Sequence, residues 1–184
     1  MALLETPQKD NDFTLVDFAL KGTDGKIHTL ADCVGKNGTL VLFICNHCPY
    51  VRAVIDRLVE DCRVVQEAGI GVVAIMPNDA KAYPADSFDA MKHFAKEHRF
   101  SFPYLIDETQ DAAKAYGAVC TPDIFGFNAD GILQYRGRVD SAGAHEADAM
   151  TKRELREAML EIAKTGVCSA AQTPSMGCSI KWKK

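Results

Sequence analysis

The sequence predicts an α/β fold in which a central mixed sheet is flanked by helices. An apolar run at residues 39–45 has the length and composition of a buried strand, and a second such run follows at residues 70–76. From Pro49 onward apolar residues recur at helical spacing, so the two strands should be parallel and joined by a right-handed crossover. Turn sequences at 22–25 and 128–131, each flanked by short apolar runs, predict an antiparallel hairpin on either side of this unit.

Residues 1–30 form an N-terminal extension that contains the first of these hairpins. The helix from Pro49 should end at Gly69, because glycine adopts the left-handed conformation that closes many helices. After the second strand, a polar loop leads to a helix at about residues 87–97 and to a short strand at residues 103–106.

In the C-terminal part, Thr109 is predicted to cap a short helix that Gly117 ends. The second hairpin follows, and Thr151 with Glu154 forms a capping box for a last helix. Residues 166–184 begin with small and polar residues, so we expect an extended tail that is held by contacts with the rest of the protein.

Length and composition indicate one globular domain over residues 1–184. Apolar residues make up 47% and charged residues 25% of the chain, as is usual for such a domain. The net charge of −4, without a basic stripe, argues against nucleic acid as a partner. Neither a signal peptide nor a membrane-spanning run is visible, so we expect a cytoplasmic protein in which most of the seven cysteines stay reduced.

Cys45 and Cys48 form a C-x-x-C pair where the first buried strand gives way to the helix that begins at Pro49. The unpaired N–H groups and partial positive charge of a helix N-terminus favour a thiolate, which is the nucleophilic form of cysteine. We therefore expect Cys45, at the exposed start of the helix, to attack a substrate disulfide and the less exposed Cys48 to resolve the mixed disulfide. The alternatives are two cysteines that are close by chance and a pair of metal ligands.

His47 directly precedes the second cysteine. As a cation it would favour the Cys45 thiolate and make the disulfide more oxidising. As a solvent-exposed loop histidine it would have little influence, and the direction of its ring decides between the two.

Three features resemble the thioredoxin fold: the strand–C-x-x-C–helix unit, the Thr-Pro step at 121–122 before a strand, and the closing hairpin at 128–131. The N-terminal hairpin and the additional segment between residues 77 and 102 resemble its peroxiredoxin-like branch, the alkyl hydroperoxide reductase/thiol-specific antioxidant (redoxin) family. A closer resemblance, to an uncharacterised subgroup of that branch, is carried by residues 45–51, 77–79, 102–105, 120–123 and 177–183.

The resemblance implies roles for further residues. In the thioredoxin fold a cis-proline faces the cysteine pair, and the residue before it offers its backbone to the substrate chain; here these are Pro122 and Thr121. Cys120 and Cys178 are candidate accessory thiols. The simpler interpretations are a small apolar residue in a buried strand for Cys120 and an idle thiol for Cys178, in an ordered tail docked by the apolar residues at positions 180 and 182.

The chain departs from the peroxiredoxin pattern in one important respect. A peroxiredoxin has a threonine or serine three residues before its peroxidatic cysteine, and the corresponding residue here is Cys45 or Leu42, depending on the register. Arg136 and Arg138 are the candidates for the arginine that such enzymes place beside the thiolate.

The predicted function is a thiol–disulfide oxidoreductase of redox homeostasis or antioxidant defence, with no cofactor and no resident metal. Its partners would be a protein disulfide or hydroperoxide substrate and an external thiol reductant of the thioredoxin or glutathione type, and related folds are often homodimers. The alternative is a thiol peroxidase in which Cys45 or Cys48 passes through a sulfenic acid. A third hypothesis is a zinc or copper module with Cys45, His47 and Cys48 as ligands and His145 as a further partner.

Overall fold

The computed structural model describes residues 2–8, 10 and 12–184. The strands are β1 (Leu3–Glu5), β2 (Ala19–Gly22), β3 (Ile27–Thr29), β4 (Gly38–Phe43), β5 (Ile70–Met76), β6 (Tyr104–Ile106), β7 (Cys120–Thr121), β8 (Asp123–Phe127), β9 (Leu133–Tyr135) and β10 (Met176–Ser179). The helices are α1 (Leu30–Cys33), α2 (Pro49–Glu67), α3 (Phe88–Glu97), α4 (Asp111–Tyr116) and α5 (Glu154–Thr165).

Seven strands form the central mixed sheet, in the order β3-β2-β6-β5-β4-β8-β9. Strands β4 and β5 are parallel over six residue pairs, from Gly38 opposite Ile70 to Phe43 opposite Ile75, as predicted for the strand–helix–strand unit. The two predicted hairpins are the antiparallel pairs β2/β3 and β8/β9. The predicted fold class is therefore confirmed.

Strand β4 is buried along its whole length, so it contributes side chains to a core on each face of the sheet. Leu40 and Leu42 belong to a cluster with apolar residues of α2, α3 and α5. The alternate residues Val41 and Phe43 pack on the opposite face with the rings of Tyr116 and other aromatic residues. This double burial fixes the strand end from which the C-x-x-C pair projects.

Two of the predicted helix starts differ from the structure. Gln110, in the left-handed conformation with φ of 65°, directly precedes helix α4, while the hydroxyl of Thr109 accepts a hydrogen bond from the backbone N–H of Asp111 at 3.4 Å. Helix α5 is preceded by Arg153, because the hydroxyl of Thr151 donates to Asp148 and Glu154 forms an ion pair instead of a capping box. Over the described ranges, no helix combines the length and the apolar character needed to cross a membrane.

A second sheet of three strands, in the order β1-β10-β7, was not predicted. The segment predicted as an extended tail contains β10, which is antiparallel to both of its neighbours. Its third residue, Cys178, lies opposite Leu3 on one side and Thr121 on the other. Further along the tail, Ile180 is buried as predicted, whereas Trp182 remains exposed.

Candidate functional site

The C-x-x-C pair lies between the end of β4 and the start of α2, as predicted, but both cysteines are buried. Cys45 is 1% exposed and Cys48 is fully enclosed. Cys48 is the residue that precedes the first turn of α2, and Pro49 occupies that turn, where its missing N–H leaves no bond unmade. The prediction that Cys45 is solvent-exposed is therefore wrong, because other elements cover the helix start.

One of these elements is strand β7 together with Pro122, which separates it from β8. The Thr121–Pro122 peptide bond is cis, as the resemblance implied. Thr121 contacts both cysteines: its hydroxyl oxygen lies 3.3 Å from Cys45 Sγ, and its carbonyl oxygen lies 3.1 Å from Cys48 Sγ. The backbone of Thr121, which the resemblance implied is offered to a substrate chain, is here paired with strand β10 of the same chain.

A second covering element is the single turn of 3-10 helix at Pro84–Asp86, in the additional segment after β5. The buried carboxylate of Asp86 accepts hydrogen bonds from the backbone N–H of Asn46 (2.9 Å) and from the amide of Asn78 (2.8 Å). The Asn46 side chain in turn accepts a hydrogen bond from the hydroxyl of Tyr104 and donates one to the Ala85 carbonyl. The loop between the cysteines is thus fixed at its centre.

His47 also binds Asp86, through an Nδ1–Oδ2 contact of 2.7 Å. Its ring stacks on that of Tyr83 with a centroid separation of 5.9 Å and an interplanar angle of 4°. The histidine is therefore held against a carboxylate, which offsets any positive charge that it brings to the cysteines. Sequence reasoning missed Asp86, since nothing in the spacing of residues 47 and 86 indicates that they meet.

Hydrogen bonds to the sulfur of Cys48 favour its thiolate. The thiol of Cys45 donates to it, as do the thiol and the backbone N–H of Cys178 and the backbone N–H of Val51. These donors outweigh the cost of burial and lower the pKa of Cys48 to about 5. The carbonyl oxygen of Thr121 opposes this shift, because it can accept a hydrogen bond only from the thiol form.

The pKa of Cys45 moves in the opposite direction. It is raised well above the usual value for a thiol, because Cys45 donates its hydrogen to Cys48, and burial and the negative charge of Asp86 add to the rise. The hydroxyl of Thr121 opposes these effects. In the reduced protein, the two shifts in pKa favour the thiolate at Cys48 over Cys45, the opposite of the order expected from the sequence.

The two candidate accessory thiols are both buried, but their surroundings differ. Cys120 Sγ lies 3.6 Å from the carbonyl oxygen of Pro122, and burial raises the pKa of Cys120 strongly. Cys178 instead contacts the redox pair, since its thiol is hydrogen-bonded to Cys48. Burial and this hydrogen bond raise the pKa of Cys178 to about 12.

Neither candidate arginine is available to a cysteine thiolate. Arg136 makes a two-bond ion pair with the buried carboxylate of Asp123, at 2.9 and 3.2 Å. Arg138 is paired in the same way with Glu154, at 2.6 and 2.9 Å. Both guanidinium groups therefore serve to connect structural elements.

A metal ion would have three ligand atoms within reach of one another at Cys45, His47 and Asp86, which all lie within 4.8 Å. The direct hydrogen bond between the imidazole and the carboxylate already explains the proximity of two of them. His145, proposed as a further ligand from the sequence, does not belong to this cluster and is exposed.

The comparisons with known proteins agree with this architecture. The sequence pattern of the AhpC/TSA family matches residues 13–136, whereas no curated protein matches the chain.

Among solved structures, an uncharacterised conserved protein from Geobacillus kaustophilus is 39% identical, with a TM-score of 0.92 over 100% of this chain and 97% of its own. A hypothetical protein from Sinorhizobium meliloti 1021 is 35% identical, with a TM-score of 0.91 over 97% and 98% of the two chains. Peroxidoxin BcpB from Mycobacterium tuberculosis is 14% identical, with a TM-score of 0.62 over 85% and 97%, and therefore shares the fold alone.

Proposed function

The chain belongs to the AhpC/TSA family and has its thioredoxin-like fold, and from this premise we propose that it is a thiol–disulfide oxidoreductase whose redox centre is Cys45 and Cys48. The observation that carries the proposal is the convergence of both cysteines on Thr121, whose hydroxyl oxygen lies 3.3 Å from Cys45 Sγ and whose carbonyl oxygen lies 3.1 Å from Cys48 Sγ. Two sulfurs in contact can form a disulfide with little rearrangement. One of them is already in the nucleophilic form at neutral pH.

The proposed reaction begins with attack of the Cys48 thiolate on a protein disulfide. A bond forms between Cys48 and one substrate sulfur while the substrate S–S bond breaks, and the second substrate sulfur leaves with the electron pair. Cys45 then attacks Cys48 Sγ, giving the Cys45–Cys48 disulfide and releasing the first substrate sulfur; the proton of Cys45 goes to the departing thiolate. An external thiol reductant of the thioredoxin or glutathione type restores the pair.

Two further residues support this centre in the proposal. Thr121 contacts both sulfurs and aligns them. His47, anchored on Asp86, fixes the loop that joins the cysteines. Because both sulfurs are buried, a protein substrate reaches them only when strand β10 or the turn at Pro84–Asp86 moves aside. The cytoplasm is the proposed compartment, since its thiol pools would supply the reductant.

A thiol peroxidase is the second candidate. The low pKa of Cys48 at the start of α2 favours it, and Thr121 supplies a hydroxyl near the pair that the local sequence lacks. Against it, Arg136 and Arg138 are engaged in ion pairs away from the thiolate. Disulfide exchange is therefore the better-supported activity.

The test measures disulfide exchange and peroxide consumption on the same reduced protein. We expect insulin disulfides to be reduced in the presence of dithiothreitol, and a Cys45–Cys48 disulfide to appear in peptide mass maps after oxidation. The variants C45S and C48S should neither reduce insulin nor form this disulfide. C33S, which removes a buried thiol of α1 outside the site, is the matched control and should do both. A reaction with hydrogen peroxide far faster than that of an ordinary thiolate, without insulin reduction, would instead establish the peroxidase.

A further inference from the structure

Strand β10 places a third thiol, that of Cys178, beside Cys48. Cys178 lies opposite Thr121 in the β10/β7 pairing, and the carbonyl oxygen of Thr121 lies 3.1 Å from Cys48 Sγ. In agreement with this proximity, hydrogen bonding with the side chain and the backbone of Cys178 lowers the pKa of Cys48. Cys178 is 4% exposed, so the contact lies inside the protein. Cys48 is therefore in contact with two thiols, Cys45 from its own loop and Cys178 from a strand more than a hundred residues later.

The position of Cys178 is fixed on both sides along the strand. At Gly177, an added Cβ would lie 2.1 Å from the carbonyl oxygen of Thr121, so only glycine permits this approach of the two backbones. After the strand, the backbone N–H of Lys181 donates to the side-chain oxygen of Asn78, and its carbonyl accepts from Gln110. The third thiol is thus held at Cys48 by an ordered segment.

We propose that Cys178 is a third member of the redox centre and forms an alternative disulfide with Cys48. This inference rests on the proposed function. In the oxidised protein, Cys178 Sγ attacks Cys48 Sγ; the Cys48–Cys178 bond forms as the Cys45–Cys48 bond breaks, and the electron pair moves to Cys45 Sγ. The proton lost by Cys178 is taken up by Cys45, so the step needs no outside oxidant or reductant.

The exchange has a consequence for the course of the reaction. Transfer of the disulfide to Cys178 regenerates the Cys45 thiol while Cys48 stays oxidised. It also links β10 covalently to the start of α2. The oxidised centre can thus exist as a second disulfide, Cys48–Cys178, in which strand β10 is covalently fixed over the site.

The experiment uses the full chain and its variant C45S, in which only Cys178 can resolve a mixed disulfide on Cys48. After treatment with oxidised glutathione, C45S should carry an internal Cys48–Cys178 disulfide, whereas C45S/C178S should retain glutathione on Cys48. We expect at least about tenfold less bound glutathione in C45S, because a thiol held in contact acts at high effective concentration. C45S/C120S is the matched control, since it removes the neighbouring buried thiol, and it should behave as C45S does.

The oxidised wild-type protein separates failure of this inference from failure of the proposed function. Peptide mapping after rapid acid quench should show both the Cys45–Cys48 and the Cys48–Cys178 linkages. Detection of the Cys45–Cys48 linkage alone, together with equal glutathione retention in C45S and C45S/C178S, would overturn the role of Cys178 but leave the proposed oxidoreductase function in place. Absence of the Cys45–Cys48 linkage would overturn the proposed function itself. Should C45S not fold by circular dichroism, C45A replaces it, and the wild-type map decides on its own.

Discussion

The two sheets of this protein differ in how much of their strand pairing is local in sequence. In the seven-stranded sheet, β2/β3 and β8/β9 are neighbours along the chain and one helix separates β4 from β5, while β2/β6 and β4/β8 join remote segments. The three-stranded sheet instead joins segments from both ends and the middle of the chain, and beside it the Ser175 backbone N–H bonds to the Thr6 hydroxyl across 169 positions. The first sheet carries the C-x-x-C pair, whereas the second sets its burial and supplies the third thiol.

The comparison predicts the largest effect for a cavity in the seven-stranded sheet. Leu42→Ala, in the fully buried strand β4, should lower the free energy of unfolding by about 2–5 kcal/mol, because it removes packed methyl groups and leaves a void. Urea denaturation measures the change. Leu160→Ala, on the exposed face of α5, is the control and should change stability by less than about 0.5 kcal/mol. Equal losses in the two variants would show that β4 does not carry the global stability.

The second prediction concerns the pH dependence of stability in the reduced protein. The pKa of Cys48 is lowered to about 5 in the folded state, so its contribution is fully present above the ordinary thiol pKa and is lost as the pH falls toward 5. Between pH 5 and 8, wild type should therefore gain up to about 1.4 kcal/mol per pH unit relative to Cys48→Ala. The raised pKa of Cys45 acts in the opposite sense and only at alkaline pH, where the unfolded chain ionises first. Parallel stability curves for the two proteins would contradict the thiolate assignment.

The third prediction separates the two sheets directly. Gly177→Val places side-chain atoms against the Thr121 carbonyl and should weaken the β10/β7 pairing by about 1–3 kcal/mol. Local opening of β10 should then accelerate alkylation of Cys48 by roughly 5- to 150-fold under native conditions. Met176→Val, an exposed position of the same strand, is the control and should leave the rate unchanged. An unaltered rate in Gly177→Val would show that β10 does not cover the site.

The smallest predicted effect is on the thiolate itself. Cys178→Ala removes one hydrogen-bond donor from the Cys48 sulfur and should raise the pKa of Cys48 by about one unit. Thiolate absorbance as a function of pH measures this shift. Cys120→Ala, in which a buried thiol without a hydrogen bond to Cys48 is lost, should shift it less. A larger shift in Cys120→Ala than in Cys178→Ala would contradict the prediction, because it would show that Cys120 has the greater effect on the pKa of Cys48.

The same contrast explains which structural features could be predicted from the sequence. The strand–helix–strand unit, both hairpins and the cis Thr121–Pro122 bond followed from local patterns or from a family resemblance, and all were found. Strands β1 and β10 have no such pattern, because they are short and their pairing partners are remote in sequence. The contact of Cys178 with Cys48, which helps to lower the pKa of Cys48, depends on this remote pairing.

Asp86 was missed for a related reason. Its carboxylate is buried and accepts hydrogen bonds from the backbone of Asn46 and from His47, which lie about forty residues earlier in the chain. Such a convergence depends on how the segment after β5 folds back over the helix start, which residue spacing does not encode. The pKa of Cys45 is raised first by hydrogen bonding with Cys48 and by burial, and the charge of Asp86, which adds to the rise, could not be predicted from the sequence.

The pairing of Leu3 with Cys178 also orders events during biosynthesis. A nascent chain can complete the strand–helix–strand unit once residue 76 has left the ribosome, but the cover over Cys48 forms only after residues 176–179 emerge. Throughout that interval the two thiols are present without the strand that later encloses them. In the nascent chain, oxidation or capture by cellular thiols therefore requires no opening of β10, and the arrival of β10 ends that period.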